Sequence, residues 1–354
     1  MATTTPAIGL NLIGLAARVE RRLDDFFGME RQRWSRHYTV LAEQVDSLAR
    51  FALAPAKRLR PAFCFAGYVG AGGDPDDPTV IDAGAALELL HASALIHDDV
   101  MDGSALRRGM RSVHLGYADR HRKGGWLGEP RRFGEGMAVL VGDLAFVYAD
   151  MLVAGAGRAA VEVFNELRVE LTMGQYLEMS GTARREVNFD TVRWVAIYKS
   201  GKYTVERPLH LGAALAGGLD RLGKHFSAYG LPLGEAFQLR DDLLGVYGDV
   251  AVTGKPVGDD LREGKPTPLL AIALSRADRA AAVLLSRVGS ADLADEEISA
   301  IQSVLDETGA RQEIERTIDD LTNQAVLAIA RAPIERSCRT FLVDLAASAV
   351  RRDH

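Results

Sequence analysis

Two acidic segments far apart in the chain contain the side chains whose types and spacing best suit chemistry. The first, LLHASALIHDDVMDGSALRR at 89–108, ends an apolar stretch with Asp98, Asp99 and Asp102. In a helix each residue turns by roughly 100°, so Asp98 and Asp102 share a face and Asp99 points elsewhere. Carboxylates on one face repel each other without a cation between them, and this spacing suits magnesium shared with phosphates. A solvated helix end is the alternative, because charge runs are usually exposed.

The second segment, AFQLRDDLLGVYGD at 236–249, strengthens the metal interpretation. Asp241 and Asp242 again end an apolar stretch, and Gln238 precedes them by about one turn. Two acid-ended helices that face each other across a cavity would hold several metal ions. Such a site would bind a diphosphate, whose charge needs metals and basic side chains to neutralise it.

Basic residues lie near both segments. The loop APAKRLRP at 54–61 is either a basic surface loop or an anion clamp, since arginine donors match phosphate geometry. Arg107 and Arg108 follow the first acids; adjacent arginines in a helix diverge by about 100°, so we expect each to serve a different ligand. The lysines of KSGKYT, Lys199 and Lys202, are either solvated, or a helix break aims one of them into the cavity. The irregular segment VTGKPVGDDLREGKPTP at 252–268 is a candidate lid.

The composition restricts the class of protein. Of 354 residues, 47% are apolar and 25% charged, which is ordinary for a globular protein. A net charge of -6 argues against a general nucleic-acid binder. Cys64 and Cys338 are too few for a disulfide framework or a zinc site, so we expect packed thiols in a reducing compartment. No signal peptide is evident, and no uninterrupted apolar run reaches the ~20 residues of a membrane span, so a cytoplasmic protein is predicted.

Apolar residues recur at helical spacing through most of the chain, with no convincing strand and no repeat. The sequence therefore predicts an all-α protein with one domain over 1–354. Residues 116–136 are polar, basic and glycine-rich, and we expect them to form a flexible insertion. Most of its five cations are expected to be solvated: Arg120, Arg122, Lys123, Arg131 and Arg132.

These motifs resemble, in the correct order, those of the trans-isoprenyl diphosphate synthases, also called polyprenyl synthetases. DDVMD at 98–102 resembles the first aspartate-rich motif, DDxxD, and LRRG at 106–109 the arginine pair that follows it. FQLRDD at 237–242 resembles the second acidic motif. KRLRP, GQYLE, YKSGK and GKPVGDDLREGKPTP match the remaining positions, so the resemblance runs from about Lys57 to Pro268.

The resemblance implies the isoprenoid synthase fold, a large bundle of long, mostly antiparallel helices around a central cavity, usually in a homodimer. It implies condensation of isopentenyl diphosphate with an allylic diphosphate. Asp98, Asp102 and Asp241, supported by Asp99 and Asp242, would bind three Mg²⁺ ions that grip the allylic diphosphate. By the same resemblance, Arg107, Lys199 and Lys255 would contact that diphosphate, and Lys265 would bind substrate. Isopentenyl diphosphate would be bound by Lys57, Arg60, His91 and Arg108. Ser200 and Gln238 would lie beside the reacting carbons.

Two departures from the family pattern concern the acids. The third aspartate of the second motif is replaced by Gly245, for which Asp249 or Asp260 would compensate. Glu178 stands where the family more often has aspartate. Neither change removes a metal ligand that we regard as essential.

The family sets product length with the residues four and five positions before the first aspartate, which here are Ala94 and Ser93. Both are small, so the resemblance implies a deep pocket and geranylgeranyl diphosphate as product, with farnesyl or longer products as alternatives. A class I terpene cyclase binds one diphosphate and would not need the second basic set. A non-catalytic partner subunit would tend to lose acids, yet DDVMD and Asp241-Asp242 are intact.

Overall fold

The computed structural model describes residues 11–184, 189–248, 257–290 and 292–350. The chain is all-α, as predicted, and the described residues also contain a short antiparallel hairpin of two two-residue strands, which the sequence did not indicate. Its elements are α1 (Leu12–Ser35), α2 (Thr39–Ala52), α3 (Leu59–Gly70), α4 (Pro78–Asp102), β1 (Leu106–Arg107), β2 (Met110–Arg111), α5 (Val113–Gly124), α6 (Pro130–Val153), α7 (Arg158–Arg184) and α8 (Phe189–Val195), followed by a π-helix (Ala196–Glu206), α9 (Arg207–Leu215), α10 (Leu219–Tyr247), α11 (Asp259–Glu263), α12 (Pro268–Arg276), α13 (Arg279–Leu285), α14 (Asp295–Glu307), α15 (Ala310–Ala330) and α16 (Arg336–Val350).

Helix α4 lies at the centre of the bundle and presents the first acids. The side chain of Asp77 accepts a hydrogen bond from the Thr79 backbone N–H, and Pro78 fits the first turn, so the helix start is fixed locally. Most residues from Val80 to Ile96 are buried, because helices pack around α4 on several sides. The helix ends at Asp102, and Gly103, whose φ of 69° suits glycine, caps it and turns the chain.

Residues 116–136, for which a flexible insertion was predicted, are mostly helical. Most of this segment belongs to α5 and α6, with only a short connection between them. Helix α5 buries His114, Tyr117, Ala118 and His121, which have helical spacing. Two of these residues are histidines, so an apolar pattern does not reveal the buried face. The Glu129 side chain then accepts hydrogen bonds from two backbone N–H groups in the first turn of α6.

Two helices, α4 and α6, are long and apolar enough to cross a membrane by length and composition. Within their apolar windows, 72% of α4 and 44% of α6 is buried inside the protein. A core helix passes the same test, so these helices are weak evidence for a membrane span, and α4 is a core helix. The free thiols of Cys64 and Cys338 are both buried, as predicted for packed cysteines.

Candidate active site

The acid-ended helices α4 and α10 meet at one cavity of about 330 Å³, lined by both Asp98 and Asp241. A second cavity of about 290 Å³ adjoins it and is lined by Asp241, Asp242, Glu178 and Asp260. The two cavities share four lining residues: Arg107, Lys199, Gln238 and Asp241. The predicted juxtaposition of the two acidic segments therefore occurs. We call the space around the acids of α4, α7, α10 and α11 the acidic chamber.

Lys199 lies between the acids of different helices. Its Nζ donates to Asp98 Oδ1 at 3.0 Å and to Glu178 of α7, and Gln175 also donates to Asp98 Oδ1 at 3.1 Å. The lysine comes from the π-helix, whose wider turns are often found at functional sites. A Cβ built on Gly174 would lie 2.5 Å from the Lys199 backbone N, so this glycine lets α7 approach closely. The helix irregularity predicted around KSGKYT does aim this lysine into the cavity.

The two arginines after the first acids diverge, although in a hairpin rather than in a helix. Arg107, on β1, donates to Asp99 Oδ1 at 2.7 Å and to Asp98 Oδ2 at 3.2 Å, and so faces the acidic chamber. Arg108 occupies the hairpin turn with a φ of 54°, an unfavourable conformation for a non-glycine residue. Its guanidinium points toward Phe51 and away from the acids. Each arginine therefore faces a different part of the site.

Lys265 forms a second bridge among carboxylates. Its Nζ lies 3.3 Å from Asp102, 2.8 Å from Glu263 and 3.9 Å from Asp260, and it is largely shielded from solvent. It therefore contacts Asp102, one of the acids predicted to bind metal. Lys255, for which a role was also predicted, lies outside the described residues, as does Asp249.

The charges of the chamber are unevenly compensated. Burial alone would raise the pKa of Asp98, but the charges of Lys199, Lys265 and Arg107 hold it well below its usual value. Burial raises the pKa of Asp102 to about 6, and the Lys265 charge offsets this only in part. Burial, together with the negative charges of Asp260 and Asp241, raises the pKa of Asp242 well above its usual value. The chamber thus contains more carboxylate than its own lysines and arginine neutralise, and these hard oxygen donors fit Mg²⁺.

Gly245 and Asp260 fit each other closely. A Cβ built on Gly245 would lie 1.9 Å from Asp260 Oδ2, so no side chain is compatible with the observed position of this carboxylate. Asp260 belongs to α11, which follows α10 in the chain. Its carboxylate occupies the space that a Cβ of residue 245 would need. Of the two compensating acids predicted from sequence, Asp260 is thus adjacent to Gly245.

Gln238 connects the second acids to the π-helix. Its amide nitrogen donates to Asp242 Oδ1 at 2.6 Å, and its Oε1 accepts from the Ser200 hydroxyl. The Gln238 and Ser200 side chains both line the first cavity. The pair therefore occupies the boundary between the acidic chamber and the rest of the cavity.

A neutral and cationic wall faces the acids across the first cavity. Arg60 donates to Thr204 at 3.0 Å and lies 4.2 Å from the centroid of the Tyr203 ring, and the Tyr203 hydroxyl lies 3.2 Å from His91 Nδ1. Burial and the charges of Arg60 and Arg108 lower the pKa of His91 well below its usual value, so its imidazole is neutral at pH 7. Sequence reasoning missed Tyr203; the only signal was an aromatic residue within KSGKYT.

The predicted basic clamp is only partly assembled. Arg58 is buried and bonds to Glu88 and to the Ala52 carbonyl, so its guanidinium points away from an anion at this loop. Lys57 is exposed in the loop before α3 and does not line the described cavities. Arg60 and Arg108 do line the first cavity.

An apolar cavity of about 190 Å³ adjoins the first one along α4, between Leu90 and Met101. Ala94 lines both cavities, and Ser93 and Leu90 follow one residue and one turn deeper along α4. Phe146 of α6 and Arg168 of α7 line it as well, and the Arg168 guanidinium lies 4.8 Å from the Phe146 ring centroid. Because Asp150 also accepts from Arg168 at 2.7 Å, this arginine is fixed as a wall of the cavity.

Residues 42–306 match the polyprenyl synthetase family, so the chain belongs to that family. The short chain isoprenyl diphosphate synthase of Methanothermobacter thermautotrophicus is 34% identical over 245 residues, which are 68% of this chain and 70% of that protein. The (2E,6E)-farnesyl diphosphate synthase of Mycobacterium tuberculosis is 32% identical over 298 residues, 82% of this chain and 78% of that protein.

Among solved structures, a geranylgeranyl pyrophosphate synthase from Corynebacterium glutamicum, complexed with isoprenyl diphosphate and magnesium, has a TM-score of 0.92 and 36% identity. That match covers 97% of this chain and 100% of the other. The protein is thus a prenyltransferase with the all-α isoprenyl synthase fold. Further relatives are named geranylgeranyl, geranylfarnesyl and nonaprenyl diphosphate synthases, so the relatives differ in chain length.

Proposed function

We propose that this protein condenses isopentenyl diphosphate with an allylic diphosphate in the presence of Mg²⁺ and releases geranylgeranyl diphosphate. The observation that carries the proposal is the order of the three connected cavities. An acidic chamber with two lysines adjoins a wall of arginine and neutral histidine, and an apolar cavity continues from there. This order suits two diphosphates at one end and a hydrocarbon tail at the other.

The proposed reaction requires each part of this arrangement. Breaking the allylic carbon–oxygen bond leaves a carbocation and a diphosphate leaving group, whose charge must be neutralised. Bound Mg²⁺, held by Asp98, Asp102, Asp241 and Asp242, would supply most of this neutralisation. Lys199 is placed to donate to the same leaving group, because it already lies among the acids.

The second substrate and the cation need different surroundings. Arg60 and Arg108 would hold the diphosphate of isopentenyl diphosphate, and His91, being neutral, would donate or accept a hydrogen bond without adding charge. The carbocation needs a pocket without water, since water would convert it to an alcohol. The departing diphosphate can take the proton that is lost after condensation, so no strong protein base is required.

Incubation of the purified protein with isopentenyl diphosphate and dimethylallyl, geranyl or farnesyl diphosphate tests the proposal. We expect a twenty-carbon product that forms with magnesium and is lost on chelation. A fifteen-carbon or a longer product would refute the proposed chain length and leave the reaction intact. Absence of elongation with every primer would contradict the proposed reaction.

The length of the product is expected to depend on Ala94. The Ala94→Phe variant places an aromatic ring at the junction of the polar and apolar cavities, so the tail has less room and a shorter product is expected. Chromatography of the dephosphorylated products measures this change. Ala159→Phe, at an exposed position of α7, is the matched control. An unchanged product distribution in Ala94→Phe would remove Ala94 from the wall of the tail pocket.

We further propose that the protein is a cytoplasmic homodimer and that α6 and α7 form the interface. Both helices expose apolar residues at helical spacing: Leu140, Val147 and Met151 on α6, and Val169, Met173 and Tyr176 on α7. Arg168 joins the two surfaces through Phe146 and Asp150. A contiguous apolar surface of this kind is typical of a protein–protein interface.

The Val147→Asp variant tests this interface. A charge in the centre of an apolar contact would weaken the dimer by about tenfold or more. Light scattering after gel filtration, at several protein concentrations, measures the change. Val283→Asp, at a valine of α13 that is 65% exposed, is the control. A wild type that is monomeric at every concentration would refute the dimer, and a fully dimeric Val147→Asp would refute this interface.

A further inference from the structure

The connection between α5 and α6, residues 124–129, exposes apolar side chains that the bundle does not use. We call this connection the tip. Leu127 is completely exposed, and Trp126 is 47% exposed. A wholly exposed leucine beside a half-exposed tryptophan forms a small apolar surface at the end of a helical hairpin.

The tip has a fixed shape. The backbone N–H of Trp126 donates to the His121 carbonyl at 3.3 Å. The His121 Nε2 atom lies 3.0 Å from the Leu127 carbonyl oxygen. The Trp126 ring packs edge-on against His121 and Phe133, with ring centroids 5.9 and 5.4 Å apart. Gly125 and Gly128 have φ of 59° and 98°, which suit glycine. The exposure of Leu127 therefore results from a defined loop conformation.

Positive charge surrounds the tip. Residues 119–135 contain five arginines and lysines and three carboxylates, a net charge of +2 in a chain whose total is -6. Within the described residues, the Lys123 and Arg132 side chains form no ion pair, and both are exposed. Glu129 is engaged as the helix cap of α6, which leaves its charge facing the helix N-terminus.

The tip lies at the same end of the bundle as the acids. His97 of α4 contacts the Val139 carbonyl of α6 at 3.2 Å, and Phe146 lies level with residues earlier in α4, so the two helices are antiparallel. Helix α6 begins nine residues before Val139, which places its start about 13 Å beyond His97 along the axis. Asp102 lies only about 7 Å beyond His97 by the same measure. The tip consequently projects past Asp102 along the axis of α4.

We propose that the tip docks the enzyme onto a lipid bilayer that contains anionic phospholipid. Leu127 and Trp126 insert into the interfacial region, where tryptophan is favoured, and Lys123 and Arg132 contact the anionic headgroups. A bilayer matches both the wholly exposed apolar side chain and the surrounding cations, whereas a polyanion alone would not use the leucine. The end of the bundle that bears the acids would then face the bilayer. If the proposed function holds, a product with an apolar tail leaves the enzyme beside the membrane.

Sedimentation of the full-length enzyme with vesicles tests the proposal without substrate, so failure of the proposed function would not affect the result. We expect binding to vesicles of phosphatidylcholine mixed with phosphatidylglycerol, weak binding to phosphatidylcholine alone, and loss of binding in about 1 M salt, where charges are screened within ~3 Å. Leu127→Ser should weaken binding about tenfold, because the lost side chain makes an apolar insertion. Lys123→Gln and Arg132→Gln should each weaken it about fivefold.

The matched controls are Leu327→Ser, at a leucine that is 61% exposed on α15, and Lys224→Gln, at an exposed lysine of α10. Neither control is expected to change binding. Leu127 makes no buried contact, so its variant should keep wild-type thermal stability and elongation activity. Failure of the wild type to bind anionic vesicles would overturn the proposal, as would equal binding by Leu127→Ser. Binding to heparin without binding to vesicles would show a polyanion surface and would also overturn it.

Discussion

Replacing Asp98 with Asn is expected to lower kcat/KM for chain elongation by on the order of 10²–10³-fold. Asp98 accepts hydrogen bonds from Lys199, Arg107 and Gln175, so the π-helix, α7 and the hairpin converge on this one carboxylate. The substitution removes a metal ligand of the proposed site. It also leaves Lys199 paired with Glu178 alone, which changes the charge presented to the leaving diphosphate.

Steady-state kinetics at several magnesium concentrations separate these effects. If Asp98 binds metal, the variant should require more magnesium for half-maximal activity, and a purely structural role would not shift that requirement. Asp319→Asn, at an exposed aspartate of α15, is the control and should behave as the wild type. An Asp98→Asn variant with wild-type kcat/KM and an unchanged magnesium requirement would refute the proposed metal site.

Introducing aspartate at Gly245 is expected to lower activity by roughly 100-fold, although it brings the sequence closer to the family motif. A Cβ at this position would lie 1.9 Å from Asp260 Oδ2, so either the carboxylate or α10 must move. A displacement of about 1 Å in a catalytic site can cost this much in rate. Gly245→Ala should also lose activity, because the Cβ alone causes the clash.

The reciprocal exchange gives the more specific result. The double variant Gly245→Asp with Asp260→Gly returns the carboxylate to the position typical of the family, and it should recover much of the activity that either single variant loses. Gly223→Ala on the same helix is the control, since a Cβ there has its nearest neighbour at 3.5 Å. Wild-type activity in Gly245→Asp alone would show that Asp260 does not need the space beside Gly245.

The polar segment at 116–136 shows where a local pattern misleads. Its helix α5 is invisible to an apolar pattern because two of its four buried residues are histidines. The His121 ring is hydrogen-bonded to the Leu127 carbonyl of the loop that follows α5. The cations lie on the outer face, which is where composition predicted them.

The residues of the basic clamp show that side-chain direction cannot be predicted from local sequence. Lys57, Arg58 and Arg60 are close in sequence and equally cationic, yet only Arg60 lines the cavity. Arg58 has a φ of 50° and turns inward to Glu88, whereas Arg60 bonds to Thr204, 144 residues away. The direction of each side chain depends on the backbone conformation before α3 and on neighbours that are remote in sequence.

The sequence by itself determined the all-α class, the acid-ended helices α4 and α10, and the family, because helical periodicity and short motifs are encoded over one or a few turns. Only the tertiary structure decided that Lys265 contacts Asp102, that Tyr203 lies against Arg60, and that Asp260 fills the space left by Gly245. Each of these pairs joins separate elements of the chain. Packing sets their distances, and packing depends on all the helices of the bundle at once.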